Sequence, residues 1–317
     1  MTKTNLLTLA AKIAPAVFYG LLAIFLVVYL TKINYSQFAT IHWNLQFIVL
    51  ATLFGLAMRF WQVLIWINLL FNLGAKRLKE NISQLTFVYA KSWLGRYIPG
   101  TAPWILGKIF FASRLGISKS KLAISSLLEG VLQIAVVMVV SLTILVCINP
   151  PHSLNTMMPF LIVALILCIV GVLPPVFNRA IAFTYKFIRK NTLNPEHLVT
   201  NKALFQAAAL YVISALLSGT ALFFIAKAID PTLSFSNLLY VIGVSNLAGA
   251  LGMIAIFAPS GIGVRDGIIL ALLSAILKPE YALVITVAAR LWDVVIDLLF
   301  VGIAKVFLNR NGVVKNN

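Results

Sequence analysis

The sequence predicts an all-α polytopic membrane protein, and three observations carry that reading. Hydrophobic residues fill 61% of the 317 positions, at a mean hydropathy of +1.00, more than a soluble core of this length has a use for. Apolar runs of about 20 residues, the length of a bilayer-crossing helix, recur along the whole chain. These runs are unbroken, which argues against the ~10-residue strands of alternating polarity found in membrane β-barrels. The chain, 1–317, reads as a single transmembrane domain with no room for a soluble catalytic domain.

Taken in order, the first run, 13–30, follows Lys3 and Lys12 and continues through LVVYLTK without a small-residue cleavage site. It reads as an uncleaved span rather than a signal peptide. Further spans are expected at 45–71, 122–148, 157–178, 203–226 and 281–304, about six in all. Two more regions, 84–114 and 236–277, are apolar but interrupted, by YIPGTAPWILG and by FAPSGIG. Proline lacks the amide N–H and its ring blocks the preceding turn, so each region should fold as two segments around a break, a re-entrant hairpin.

Orientation follows the bases. With the N-terminus inside, the stretches 1–12, 72–83, 107–121, 179–202 and 305–317 hold 17 of the 25 Lys and Arg residues. The outer loops hold only Lys32, Lys227 and Lys278. The positive-inside rule then puts both termini in the cytoplasm of a multi-pass protein of the plasma (inner) membrane. It also discounts the Asn81-Ile82-Ser83 sequon, which falls on the inner side. The formal charge of +17 is spread over these short loops, so it reads as a topology signal and not as a nucleic-acid surface.

On this topology one hairpin starts and ends inside and the other starts and ends outside, each followed by a full span. A shift of 160 or 161 residues aligns Pro99 with Pro259, Gly100 with Gly261, Gly107 with Gly267 and Glu129 with Arg290. The expectation is an inverted repeat, unit one 84–148 and unit two 236–304, as in transporters built from broken helices.

Charge within the spans is scarce and grouped. Arg59, Glu129, Arg290, Asp293 and Asp297 lie inside expected spans, with Arg96, Arg265 and Asp266 at the breaks. Five such groups facing lipid would cost on the order of 12–18 kcal/mol even on a lenient insertion scale, so they must face one another or a wet interior. Their spacing agrees: Arg290, Asp293 and Asp297 share one helical face, Ser126, Glu129 and Gln133 another, and Arg59 with Gln62 a third. Asp293 has Arg290 in reach along its own helix. The repeat places Glu129 and Arg290 near the pseudo-twofold axis, where they are expected to approach. Arg59 reads as serving packing or topology.

At the second break, the start of a new half-helix offers free N–H groups and a positive dipole end. Gly261 and Gly263 would let a ligand approach the backbone, and Arg265 supplies a planar fork suited to phosphate. Asp266 could cap the helix, balance Arg265 or meet a cationic head. Arg96 and Lys108 flank the first break. The alternative is a plain turn with tight helix packing. Cys147 and Cys168 sit in apolar segments and His42, His152 and His197 are scattered, so no metal, disulfide framework or cofactor is expected. No nucleophile–base arrangement stands out, and no enzyme is expected.

The pieces SWLGRYIPGTAPWILGKIFFASRLGIS, SLLEG, PSGIGVRDG and AARLWD resemble the flippase-like transmembrane domain of lysylphosphatidylglycerol synthases and its stand-alone membrane relatives, over roughly 10–306. The resemblance implies a lipid translocator, and it carries Arg96, Gly100, Glu129, Gly261, Gly263, Asp266 and Arg290 over as site residues. The acid after the glycines is often Glu in that family; Asp266 has the shorter reach. The aminoacyl-transferase domain is expected to be absent, which leaves the cargo open. The implied function is a flippase or scramblase passing a phospholipid or polyprenyl-phosphate headgroup through a polar groove between the two broken-helix units. Arg96, Arg265 and Arg290 would contact phosphate, Glu129 and Asp266 would balance them or contact a cationic head, and Lys108 and Asp293 complete the expected substrate-binding set. The alternatives are a proton-coupled secondary transporter of a small solute and a scaffold partner of an envelope-lipid synthesis enzyme. Membrane lipids are the expected partners in either lipid reading.

Overall fold

The computed structural model describes residues 43–98, 102–148, 158–173, 201–255 and 258–314, with isolated positions at 156, 175, 176 and 179. The first expected span, 13–30, and residues 180–200 of the basic stretch 179–202 lie outside the described residues. All regular structure among the described residues is helical. The α-helices are α1 (Leu45–Asn72), α2 (Ile82–Trp93), α3 (Ala102–Ser113), α4 (Lys119–Cys147), α5 (Met158–Val172), α6 (Asn201–Ile229), α7 (Leu238–Ile254), α8 (Val264–Leu273) and α9 (Pro279–Val314).

Helix limits follow local chemistry. The Asn44 side chain accepts the Gln46 N–H at 3.0 Å and caps α1. At its other end Gly74 takes φ 68°, and the Gly74 and Ala75 amides close back on Phe71 and Leu70 at 2.9 and 3.0 Å. That is a Schellman termination, which a residue with a Cβ enters only under strain. Pro279 opens α9, where its missing N–H is not required. Ile98, placed just before Pro99, is extended at ψ 137° as the proline ring demands, and it ends the turn after α2.

By length and composition, α1, α4, α6 and the segment Phe235–Ile254 containing α7 can cross a membrane. They cover the spans expected at 45–71, 122–148 and 203–226 and the first arm of the 236–277 region. Within the span expected at 157–178, the described residues include α5, Met158–Val172. The span expected at 281–304 lies within the 36-residue α9, which carries Arg290, Asp293 and Asp297 and so falls outside the uniformly apolar set.

The polarity of the bundle is that of a protein in an apolar solvent. Leu45, Leu53, Phe160, Leu167, Leu291 and Leu298 are all more than half exposed, while Arg59, Gln62, Lys108, Glu129, Asp293 and Asp297 are buried. Water would reverse that distribution; lipid favours it. The protein is an integral membrane protein.

Helix contacts fall into matching sets. Helix α1 packs along α6, and both touch α4 and α9. Helix α2 packs on α9 while α7 packs on α4; α3 packs on α4 while α8 packs on α9. Within each interrupted region the arms pack together, α2 on α3 and α7 on α8, and the turn Leu94–Tyr97 touches the turn Pro259–Gly261. Both broken regions therefore meet at their breaks, and a polar interior lies beside that meeting point.

Candidate functional site

A cavity of about 510 Å³ opens between α1, α4, α6, α7 and the two breaks. Helix α1 presents Met58, Arg59 and Gln62, and α6 presents Ser214, Ala215 and Ser218. From α7 come Ser245, Asn246, Gly249, Ala250 and Gly252. The lining residues of α4, from Ser126 through Gly130 and Gln133 to Val137, span about three turns, or ~16 Å of rise. Small residues on α6 and α7 keep the walls apart. Ile254, at the margin, is 51% exposed, so the cavity reaches the lipid-facing surface there.

One wall is ionic. Arg59 donates through Nε to Asp297 at 2.7 Å and through Nη2 to Asp293 at 3.0 Å. Arg265 holds the other oxygen of Asp293. Asp297 accepts four donors: Arg59 and the Trp93 indole on one oxygen, Arg96 at 3.0 Å and the Tyr97 hydroxyl at 2.7 Å on the other. Four helical or turn elements are thereby pinned to two carboxylates one helical turn apart on α9. Arg59, Arg96, Arg265 and Asp293 line the cavity, and Asp297 lies directly behind them, fully buried. Three guanidinium groups face two carboxylates, leaving one positive charge in excess.

Several polar atoms of this wall are unsatisfied. Gln62 Oε1, Ser126 Oγ and Arg96 Nε are buried without a hydrogen-bond partner, and each belongs to a lining residue. A buried donor or acceptor left unpaired costs about 1–3 kcal/mol, so these atoms await a polar occupant or water.

Lys108 and Glu129 form a second, separate centre. Both are fully buried and they pair with each other. The Tyr89 hydroxyl donates to the free Glu129 oxygen at 2.6 Å, and the Lys108 ammonium lies 4.0 Å from the Trp104 ring centre and 5.0 Å from that of Tyr89. Neither residue lines the cavity; Trp104 does, and stands between the two centres.

Three expectations are corrected here. Glu129 does not meet Arg290, because Lys108 reaches it from α3 within the same broken region. Lys108 is no loop base beside the break but a buried member of α3. Arg290 is not bound to Asp293, which is taken by Arg59 and Arg265; its Nη1 donates instead to the Ser260 carbonyl at 3.0 Å, and its Nη2 is buried and unpaired. Arg290 thus braces the second break and does not line the cavity.

The break itself is a tight reversal. Ser260, Gly261 and Gly263 all have positive φ, at 51°, 68° and 85°. A Cβ on Gly261 would lie 2.8 Å from the Gly252 Cα, so its bareness serves packing against α7. The Asp266 carboxylate accepts the Gly263 N–H at 3.1 Å and caps α8, one of its foreseen roles. It does not line the cavity. Gly100 lies outside the described residues.

The sequence model of a family described as the lysylphosphatidylglycerol synthase TM region matches residues 12–300. The chain belongs to that family. No curated protein matches it. Of the residues that the resemblance to the lysylphosphatidylglycerol synthase TM family marked out, Arg96 and Gly261 line the cavity, while Glu129, Gly263, Asp266 and Arg290 do not. Arg265 and Asp293, read from the break and the polar stripe, are brought together on the wall. Sequence reasoning undervalued Arg59, the hub of the ionic wall, and Asp297. The signal was present: Arg59 and Gln62 are one turn apart on an otherwise apolar helix, the same pattern that flagged α9.

Proposed function

We propose that this member of the lysylphosphatidylglycerol synthase TM family is a lipid translocase of the flippase or scramblase type rather than an enzyme. A phospholipid or polyprenyl-phosphate headgroup would pass through the cavity while its tails remain in the bilayer. The observation that carries this reading is the cavity wall: three arginines against two aspartates, buried polar atoms awaiting a partner, and a margin at the lipid-facing surface. An excess guanidinium charge in a low-dielectric setting favours a phosphate anion.

The paired helix contacts fit a repeat with α2–α3–α4 and α7–α8–α9 as its units. On the topology read from the basic stretches, its two hairpins would enter from opposite faces and both termini would lie on the cytoplasmic side of the inner membrane. Any driving force would be a gradient or a concentration difference between leaflets.

The test is reconstitution into liposomes with tail-labelled fluorescent lipids and a membrane-impermeant quencher. Wild-type protein should expose labelled lipid from the inner leaflet. The double variant Arg96→Ala, Arg265→Ala should lose most of that movement, read on the fraction that elutes as a folded species. Equal movement by both proteins would remove the site, and no movement by the wild type with any lipid would remove the function.

A further inference from the structure

We infer that the cavity selects a lipid with a single phosphodiester anion and a hydroxyl-rich, amine-free headgroup, and that it discriminates against aminoacylated lipid; this rests on the translocase reading. A cationic amine is held most strongly by a carboxylate or an aromatic face, and among the described residues each of those near the cavity is already engaged by the protein's own groups. Asp293 is the one carboxylate lining the cavity among the described residues, and Arg59 and Arg265 hold both its oxygens. Asp297 behind it is saturated by four donors. Glu129 is shut away with Lys108 and Tyr89, and Asp266 caps α8.

The aromatic faces are filled in the same way. The Trp93 ring lies 5.7 Å from the Arg59 guanidinium and 5.0 Å from that of Arg96, and Trp104 carries the Lys108 ammonium at 4.0 Å. What the cavity offers in surplus is one positive charge and neutral hydrogen-bonding groups. Gln62, 2% exposed, commits its amide nitrogen to Ser214 at 2.8 Å and leaves its carbonyl oxygen unpaired; the buried Ser126 hydroxyl is also free. These groups suit headgroup hydroxyls, and the surplus charge suits one phosphodiester. An added ammonium would face like charge, which costs several kcal/mol in a desolvated contact and so separates ligands by more than about tenfold.

Both halves of the chain contribute to the lining: Arg265 and Asp293 from one, Trp104 and Gln133 from the other. One side is ionic and its counterpart is neutral, so a carboxylate placed at Gln133 would be the first one free to receive an amine.

The experiment reconstitutes the full chain with tail-labelled phosphatidylglycerol, phosphatidylethanolamine or lysylphosphatidylglycerol and compares initial rates. Native mass spectrometry of the purified protein reads lipid retention independently of movement. Phosphatidylglycerol should be favoured over both amine lipids by about tenfold or more in rate and retention, and Gln133→Glu should close most of that gap. Excess glycerol phosphate should leave lipid movement intact; if it blocks movement and is itself taken up, a free phosphate ester is the ligand and the lipid assignment falls. Equal handling of phosphatidylglycerol and lysylphosphatidylglycerol by the wild type overturns this inference and leaves translocation standing. Selective retention of phosphatidylglycerol with no lipid moved does the reverse.

Discussion

Arg59 of α1 and Asp297 of α9, 238 positions apart in sequence, meet at 2.7 Å inside the bundle with neither side chain more than 3% exposed. The pair closes a circuit: Asp297 also binds Arg96 from the first break, and Arg59 also binds Asp293, which in turn holds Arg265 from the second. Removing one member strands its partner without water. Asp297→Asn should lower stability by about 3–5 kcal/mol, and by more than Asp293→Asn, because four donors lose their acceptor charge instead of two. Thermal unfolding in detergent, followed by tryptophan fluorescence, reads the order; a larger loss at Asp293 would contradict it.

The Lys108–Glu129 pair obeys the same arithmetic away from the cavity. Lys108→Met and Glu129→Gln should each destabilise by about 3–5 kcal/mol, and the double variant by less than the sum, since no unpaired charge remains. Relative lipid preference should be unchanged in whatever folds. A full double-mutant cycle on melting temperature, alongside the liposome assay, measures both.

Two glycines separate packing from passage. A Cβ on Gly219 would lie 2.5 Å from the Ile242 Cα, whereas one on Gly130 meets nothing within 4 Å. Gly219→Ala should push α6 from α7 and cost about 1–3 kcal/mol. Gly130, which lines the cavity, should accept leucine with little change in melting while lipid movement falls steeply. A destabilised Gly130→Leu that still moves lipid at the wild-type rate would contradict the cavity as the route.

Arg290 holds the Ser260 carbonyl, and Ser260 sits in the left-handed region at φ 51°. Arg290→Ala should release the turn and speed deuterium uptake at 258–265 with little effect at 94–98. Ser260→Gly relieves the backbone and should be neutral to mildly stabilising, by up to about 1 kcal/mol. Uniform protection in Arg290→Ala would show that the turn is held by something else.

Much of the fold was legible because lipid imposes simple rules. Long apolar runs have one stable form in a bilayer, and α1, α4 and α6 follow from them directly. The breaks were legible too, since Pro and Gly act on their own backbone. The partners of the buried charges were not. Spacing puts Arg290 and Asp293 on one face, but which cation wins Asp293 depends on α1 and α8 arriving from distant parts of the chain. Lys108 looked like a loop base because its helix is only 12 residues long and the sequence leading into it, YIPGTAPW, carries two prolines. Gly261 and Asp266 were read from the same short stretch, and the first both lines the cavity and makes room for Gly252 while the second satisfies a helix start. Local chemistry of that kind leaves the same residue types in sequence as a binding site does.

The touching tips at Leu94–Tyr97 and Pro259–Gly261 bear on how such a molecule could change shape. Levers that touch at their ends obstruct one another's swing, so a large tilt of one pair of arms would press on the other and reshape the chamber beside the contact.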